Sequence, residues 1–123
     1  MLFNPLQVGS LTLPNRILLA PLTRGRADAG HMPNALMAEY YSQRATGGLL
    51  ISECTMVAPG TSAFVNEPGI YNDAQIAAWR QVTDAVHAAG GKIALQILHT
   101  GRYAYQPLAV APSRLKSPIS PFT

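Results

Sequence analysis

The sequence predicts an α/β chain, the N-terminal portion of a (β/α)8 TIM barrel preceded by a short β-hairpin. Two apolar runs, Ile17-Leu18-Leu19-Ala20 and Ile93-Ala94-Leu95-Gln96-Ile97-Leu98, stop abruptly in polar groups, Pro21-Leu22-Thr23-Arg24 after the first and His99-Thr100-Gly101-Arg102 after the second. A parallel barrel strand reads this way, apolar along its length and chemically equipped at its C-terminal end. The segments also alternate as hairpin, β, α, β, α, β, and such alternation requires parallel pairing through crossovers. Finally, 123 residues are far fewer than the roughly 250 of a closed barrel. Three parallel strands alone would expose two edges and much apolar surface. Residues 1–123 are therefore expected to be one segment of a single domain, with the rest of the barrel as their partner.

Leu6-Gln7-Val8 and Leu11-Thr12-Leu13 alternate around Gly9-Ser10, which predicts a hairpin over residues 6–13. Arg16–Ala20 is expected to be the first strongly buried strand, closed by Pro21, which lacks a donor. Asn34 is placed to cap a helix over about 35–45, with Leu36, Met37, Tyr40 and Tyr41 on one face. Gly47-Gly48 stops it, and Leu49–Glu53 is the second buried strand. A loop is expected from about Met56 to Tyr71, long enough to suggest function. Asn72 and Gln75 have capping-box spacing, and Asp73 suits the positive end of the helix dipole. That helix runs to about Ala89 with Ile76, Trp79, Val82 and Val86 inward, and Gly90-Gly91 ends it. Lys92–Leu98 is the third strand, and the chain becomes irregular after Arg102, through Pro107, Pro112, Pro118 and Pro121.

Composition narrows the function classes. Hydrophobic residues make up 48% and charged residues 12%, which fits a buried α/β interior. The net charge of +3 is scattered, without the clustering a nucleic-acid footprint needs. The single cysteine, Cys54, excludes an intramolecular disulfide and a cysteine-based zinc site. It points to a reducing compartment. Met1–Pro5 lacks the pattern of a signal peptide, and no apolar run approaches membrane-spanning length. The expected setting is cytoplasmic, with no nucleic-acid or membrane partner. The oligomeric state is not legible.

Read on their own, several polar residues have structural roles. Glu53 is expected to be a buried carboxylate held by hydrogen bonds at a strand end. His99 has no second ligand at metal spacing and is expected to order its loop. Tyr40, Tyr41 and Trp79 are packing residues, and Cys54 is an inert thiol.

The opening Leu2-Phe3-Asn4-Pro5-Leu6 and Pro14-Asn15-Arg16 begin a longer ordered set. Ala20-Pro21-Leu22-Thr23-Arg24, Met37-Ala38-Glu39-Tyr40-Tyr41, Ile51-Ser52-Glu53 and Pro68-Gly69-Ile70-Tyr71 follow. Trp79-Arg80-Gln81-Val82-Thr83 and His99-Thr100-Gly101-Arg102 complete it. Together they resemble the old yellow enzyme family of FMN-dependent oxidoreductases over essentially the whole chain. The stretch from Gly90, with Leu98, Val110-Ala111-Pro112-Ser113 and Ser117-Pro118-Ile119, resembles instead the 2,4-dienoyl-CoA reductase branch.

The resemblance implies an NAD(P)H-dependent FMN oxidoreductase that passes hydride through flavin to an activated alkene. The alternative is a dienoyl-CoA reductase-like enzyme or an inactive segment that cannot hold FMN alone. Thr23, with Pro21 and Leu22, is implied as the flavin-tuning segment. Gln96 would face the pyrimidine edge, where an amide can both donate and accept. Cys54 would bring its backbone to the flavin, and Phe64 and Leu98 would line the substrate side. The family's carbonyl-polarising pair and proton-donating Tyr lie on later strands, so no catalytic residue is implied within 1–123. All of this requires Thr23 and Gln96 to lie at the same end of the sheet.

Overall fold

A computed structural model of the chain describes residues 1–104 and 110–112. The proline-rich stretch around Pro107, Pro118 and Pro121, and Ser113 and Ser117–Ile119 of the dienoyl-CoA-like segment, lie outside the described residues. The expected hairpin forms from β1 (Leu6–Val8) and β2 (Leu11–Leu13), antiparallel with Leu6 opposite Leu13. Across it, the Thr12 hydroxyl donates to Gln7 Oε1 at 2.7 Å.

The remaining strands are parallel. β3 (Leu18–Leu19), β4 (Leu49–Ile51) and β6 (Ile93–Ala94) form one sheet with β4 in the middle, while β5 (Thr55–Met56) pairs with β7 (Ile97–Leu98). The register sets Leu19, Leu50 and Ile93 side by side. Leu50 is fully buried, and the other two pack against the same core. That face meets α1 (Ala35–Ser42) and α2 (Asp73–Ala88), which contribute Met37, Tyr41, Trp79, Val82 and Val86. Full burial of such side chains stabilises by about 1.5–3 kcal/mol each, so this seam between helices and sheet carries the core. The Trp79 indole N–H is satisfied by the Gly69 carbonyl at 3.2 Å.

Both helices begin as expected. The Asn34 side chain accepts from Met37 N–H at 3.1 Å, and the Asn72 side chain from Gln75 N–H at 2.9 Å. α2 ends in a Schellman motif. Gly91 N–H reaches Val86 O and Gly90 N–H reaches His87 O, both at 2.9 Å. Gly90 supplies the left-handed φ of +79° that this ending requires.

Several expectations are corrected. The Arg16–Ala20 segment is not strongly buried: β3 is the sheet edge, and Ile17 and Leu18 are exposed. Helix α1 ends at Ser42 rather than near Ala45, and Leu36 projects into solvent while Met37 and Tyr41 are buried. In α2 the inward stripe is Gln75, Trp79, Val82 and Val86, with Ile76 exposed. Gln75 does not turn back to Asn72 to close a capping box. Its Oε1 accepts from Tyr71 N–H at 2.9 Å and its Nε2 donates to Gly30 O at 3.0 Å. Residues 92–98 are not one strand but two, β6 and β7, and the loop expected from Met56 opens with the short strand β5.

Candidate functional site

The break in the third strand is matched by one in its neighbour. Ile51 pairs with Ala94 and Thr55 with Ile97. The chain thus advances four residues on one side and three on the other, which is a β-bulge. Ser52 bridges the gap. Its N–H donates to Ala94 O and its hydroxyl oxygen accepts from Gln96 N–H, both at 2.9 Å, before Thr55 N–H resumes the ladder on Gln96 O at 2.9 Å. The extra residue re-aims the side chains that follow Ser52. Glu53 goes into the helix-side core, while Cys54 meets the neighbouring strand, its Sγ donating to Gln96 Oε1 at 3.1 Å.

Glu53 is 1% exposed. Its Oε2 accepts from Arg24 N–H at 3.0 Å and Gly25 N–H at 3.2 Å, and its Oε1 from the Tyr41 hydroxyl at 3.3 Å. The Tyr41 oxygen in turn accepts from Glu53 N–H at 2.8 Å. Burial pushes the Glu53 carboxyl above the ordinary range, with the Arg24 and Gly25 amides and the Tyr41 hydroxyl pulling the other way. Burial likewise raises the Tyr41 phenol. The expectation of a hydrogen-bonded carboxylate at a strand end holds. Its partner Tyr41, expected only to pack, is also part of the polar network.

These bonds bring the three expected polar contacts together. Thr23 precedes Arg24, which is bonded to Glu53; Cys54 follows Glu53; Gln96 touches Cys54. The loop after β3 and the breaks after β4 and β6 therefore meet at the C-terminal end of a parallel sheet, where α/β proteins bind ligands. Thr23, Cys54 and Gln96 are each partly exposed, unlike the buried Ser52, Glu53 and Thr55 around them. Pro21 is half-buried and Leu22 is exposed. The rim thus carries a hydroxyl, a thiol and an amide, groups that can donate or accept hydrogen bonds.

The loops also converge. Ala27 N–H donates to Asn66 O at 3.1 Å, and the Thr100 hydroxyl donates to Thr61 O. This ties the segment carrying Phe64 to those following Thr23 and Leu98. Phe64 is 53% exposed and Leu98 half-buried. His99 Nδ1 accepts from Gly101 N–H at 3.0 Å, the loop-ordering role expected for it. Among the described residues no group of three His, Cys, Asp or Glu could hold a metal ion, and no helix is long and apolar enough to cross a membrane.

Sequence reasoning missed Glu67. It is fully buried in the 61–69 loop, with Oε2 accepting from Ala63 N–H at 3.3 Å and Phe64 N–H at 3.0 Å, and Oε1 without a partner among the described residues. Burial raises its carboxyl above the ordinary range against the pull of those amides. Nothing in the linear pattern marks it, since its partners are main-chain groups of its own loop.

The fold and the rim of neutral polar groups at the strand ends define a class, the barrel-type α/β proteins that present a ligand site where parallel strands terminate. The NADH:flavin oxidoreductase / NADH oxidase family model matches residues 1–123, and the chain belongs to that family. A probable flavin mononucleotide-dependent alkene reductase of Leishmania infantum is 48% identical over 102 residues, covering 83% of this chain and 28% of the relative. The structure of a morphinone reductase in complex with tetrahydroNAD superposes with a TM-score of 0.89 at 48% identity, over 97% of this chain and 34% of that one. The old yellow enzyme homologue of Zymomonas mobilis gives 0.90 at 47%, over 95% and 34%. The chain thus spans about a third or less of the length of these relatives. Its α/β fold, with the antiparallel hairpin first, matches the N-terminal third of their TIM barrels.

Proposed function

We propose that residues 1–123 supply one wall of the flavin site in an FMN-dependent oxidoreductase that moves hydride from NAD(P)H to an activated alkene. The observation that carries this is the meeting of Thr23, Cys54 and Gln96, through Glu53, at the C-terminal end of the parallel strands. It is supported by the relatives named for a flavin mononucleotide-dependent alkene reductase and for a tetrahydroNAD complex. When bound, FMN supplies the two-electron redox chemistry itself. The Thr23 hydroxyl stands as a neutral donor to one polar edge of the ring. Gln96 orients the pyrimidine edge, its Oε1 already steadied by the Cys54 thiol. Pro21 and Leu22 form the apolar shoulder beside Thr23, and Phe64 and Leu98 line the substrate side.

β3 and β6 are the two edges of the three-stranded sheet, and the remaining barrel strands would pair there within the same domain, covering exposed side chains such as Leu18, 51% exposed. The single free thiol, Cys54, suits a cytoplasmic setting. In the full-length protein, the test is co-purification of FMN and NAD(P)H oxidation coupled to alkene reduction. Absence of flavin absorbance after saturation with FMN would reject the proposal. Segment 1–123 alone is expected to leave FMN fluorescence unquenched on titration.

A further inference from the structure

The loop that carries Thr23 has little of its own to hold it. Among the described residues, the main-chain N–H groups of residues 22–26 make no bond to other backbone, and Pro21 has none to give. Arg24 and Gly25 bond only to Glu53 Oε2. Within these residues Leu22 is 55% exposed, and the one aromatic contact of the loop is the Arg24 guanidinium 5.3 Å from the Tyr40 ring centroid. Glu53 itself is fixed from the helix side. Tyr41, 1% exposed on α1, both donates to Glu53 Oε1 and accepts from Glu53 N–H, so backbone and carboxyl are gripped by one hydroxyl. Gly25 completes the geometry. Its φ is +61°, and a Cβ there would lie 2.9 Å from Val65 O, so the turn that presents two successive N–H groups to one oxygen leaves no room for a side chain.

Building on the flavin-site reading above, we propose that Glu53, seated by Tyr41, is a positioning residue. It clamps the Arg24 and Gly25 amides and so sets where the adjacent Thr23 hydroxyl stands. Glu53 need not touch the cofactor; it acts through Thr23. Two N–H donors converging on one acceptor define position more tightly than one. The chain of contacts runs from the buried aromatic cluster of α1, through the Glu53 carboxyl, to the two loop amides next to Thr23, while the far end of the loop is held separately by the Asn34 amide on Arg26 O. A displacement of even 1 Å at such a contact is enough to weaken a preorganised site.

The experiment uses the full-length protein carrying E53L, E53Q, Y41F or T23A, and the T23A/E53L pair. The first readout needs no flavin: hydrogen exchange of the Arg24 and Gly25 amides in the apoprotein. E53L should speed it at least about tenfold, the loss of both hydrogen bonds, with amides of residues 93–98 unaffected. E53Q should restore protection, because the carbamoyl oxygen can accept both N–H groups while its NH2 donates to Tyr41. The second readout is the potential of bound FMN. T23A alone should shift it, and T23A added to E53L should shift it little further, since Thr23 is already misplaced.

Unchanged exchange at Arg24 and Gly25 in E53L overturns the clamp, and full additivity of T23A and E53L overturns the action through Thr23. Should E53L fail to fold, Y41F decides. Faster exchange at the two amides supports the clamp, and wild-type exchange there rejects it. A protein that takes up no FMN although E53L still frees the amides defeats the flavin reading and leaves the clamp standing.

Discussion

Gln75 is a fully buried polar residue on the inward side of α2, and Gln75→Met tests what it contributes. The side chain is fully buried and joins two segments distant in sequence, accepting from Tyr71 N–H and donating to Gly30 O. It also packs tightly on Gly69, where an added Cβ would lie 2.8 Å from Nε2 and 2.9 Å from Oε1. Methionine has similar length and flexibility, so little cavity is created and the change isolates the hydrogen bonds. Leaving a buried group unsatisfied costs about 1–3 kcal/mol. Tyr71 is half-buried and Gly30 exposed, so water can recover part of each loss. The expected destabilisation is therefore about 2–4 kcal/mol, two partners at the lower half of that range. Urea unfolding of the full-length protein at neutral pH measures it, with exchange of the Tyr71 amide as a local check. A loss under about 0.5 kcal/mol, the size of an ordinary surface substitution, with an unchanged Tyr71 exchange rate, would refute the reasoning.

Burial raises the Glu67 carboxyl above its unfolded value, so the folded state holds its proton longer. The stability this contributes is complete below the unfolded pKa and is lost as pH rises through the folded one. Thus Glu67→Gln should match wild type near pH 4 and gain on it as pH rises, read from thermal unfolding between pH 4 and 8; a difference constant with pH would sink this account. Asn34→Ala should cost about 1 kcal/mol as the loss of an N-cap, or somewhat more because the Asn34 amide also donates to Arg26 O and Asp28 Oδ1; denaturant titration decides, and a neutral result would contradict the capping role. Thr23→Ala in the FMN-loaded protein should disfavour flavin reduction by about 0.5–1.5 kcal/mol, one hydrogen bond, and an unaltered midpoint potential would remove Thr23 from the flavin edge.

What the sequence determined by itself is what depends on near neighbours. The hairpin around Gly9-Ser10, the Asn34 and Asn72 caps and the Gly90-Gly91 ending are set by groups within a few residues of each other, and each forms where its pattern stands. The polar end carrying Thr23 was legible for the same reason, as an apolar run that stops, whereas Cys54 and Gln96 were singled out only through the family resemblance. The tertiary structure decided everything that depends on partners far along the chain. It turned Gln75 rather than Ile76 inward, because Gly30 and the Tyr71 turn lie across that face. It broke residues 92–98 in two, because the neighbouring strand carries one residue more between Ile51 and Thr55. It also made Tyr41 and Glu53 one unit holding the Thr23 loop, a relation across 12 and 29 residues that no local periodicity encodes. Propensity and capping act over a turn or two of chain, whereas register and buried polar pairing are settled only when distant segments compete for the same donors and acceptors.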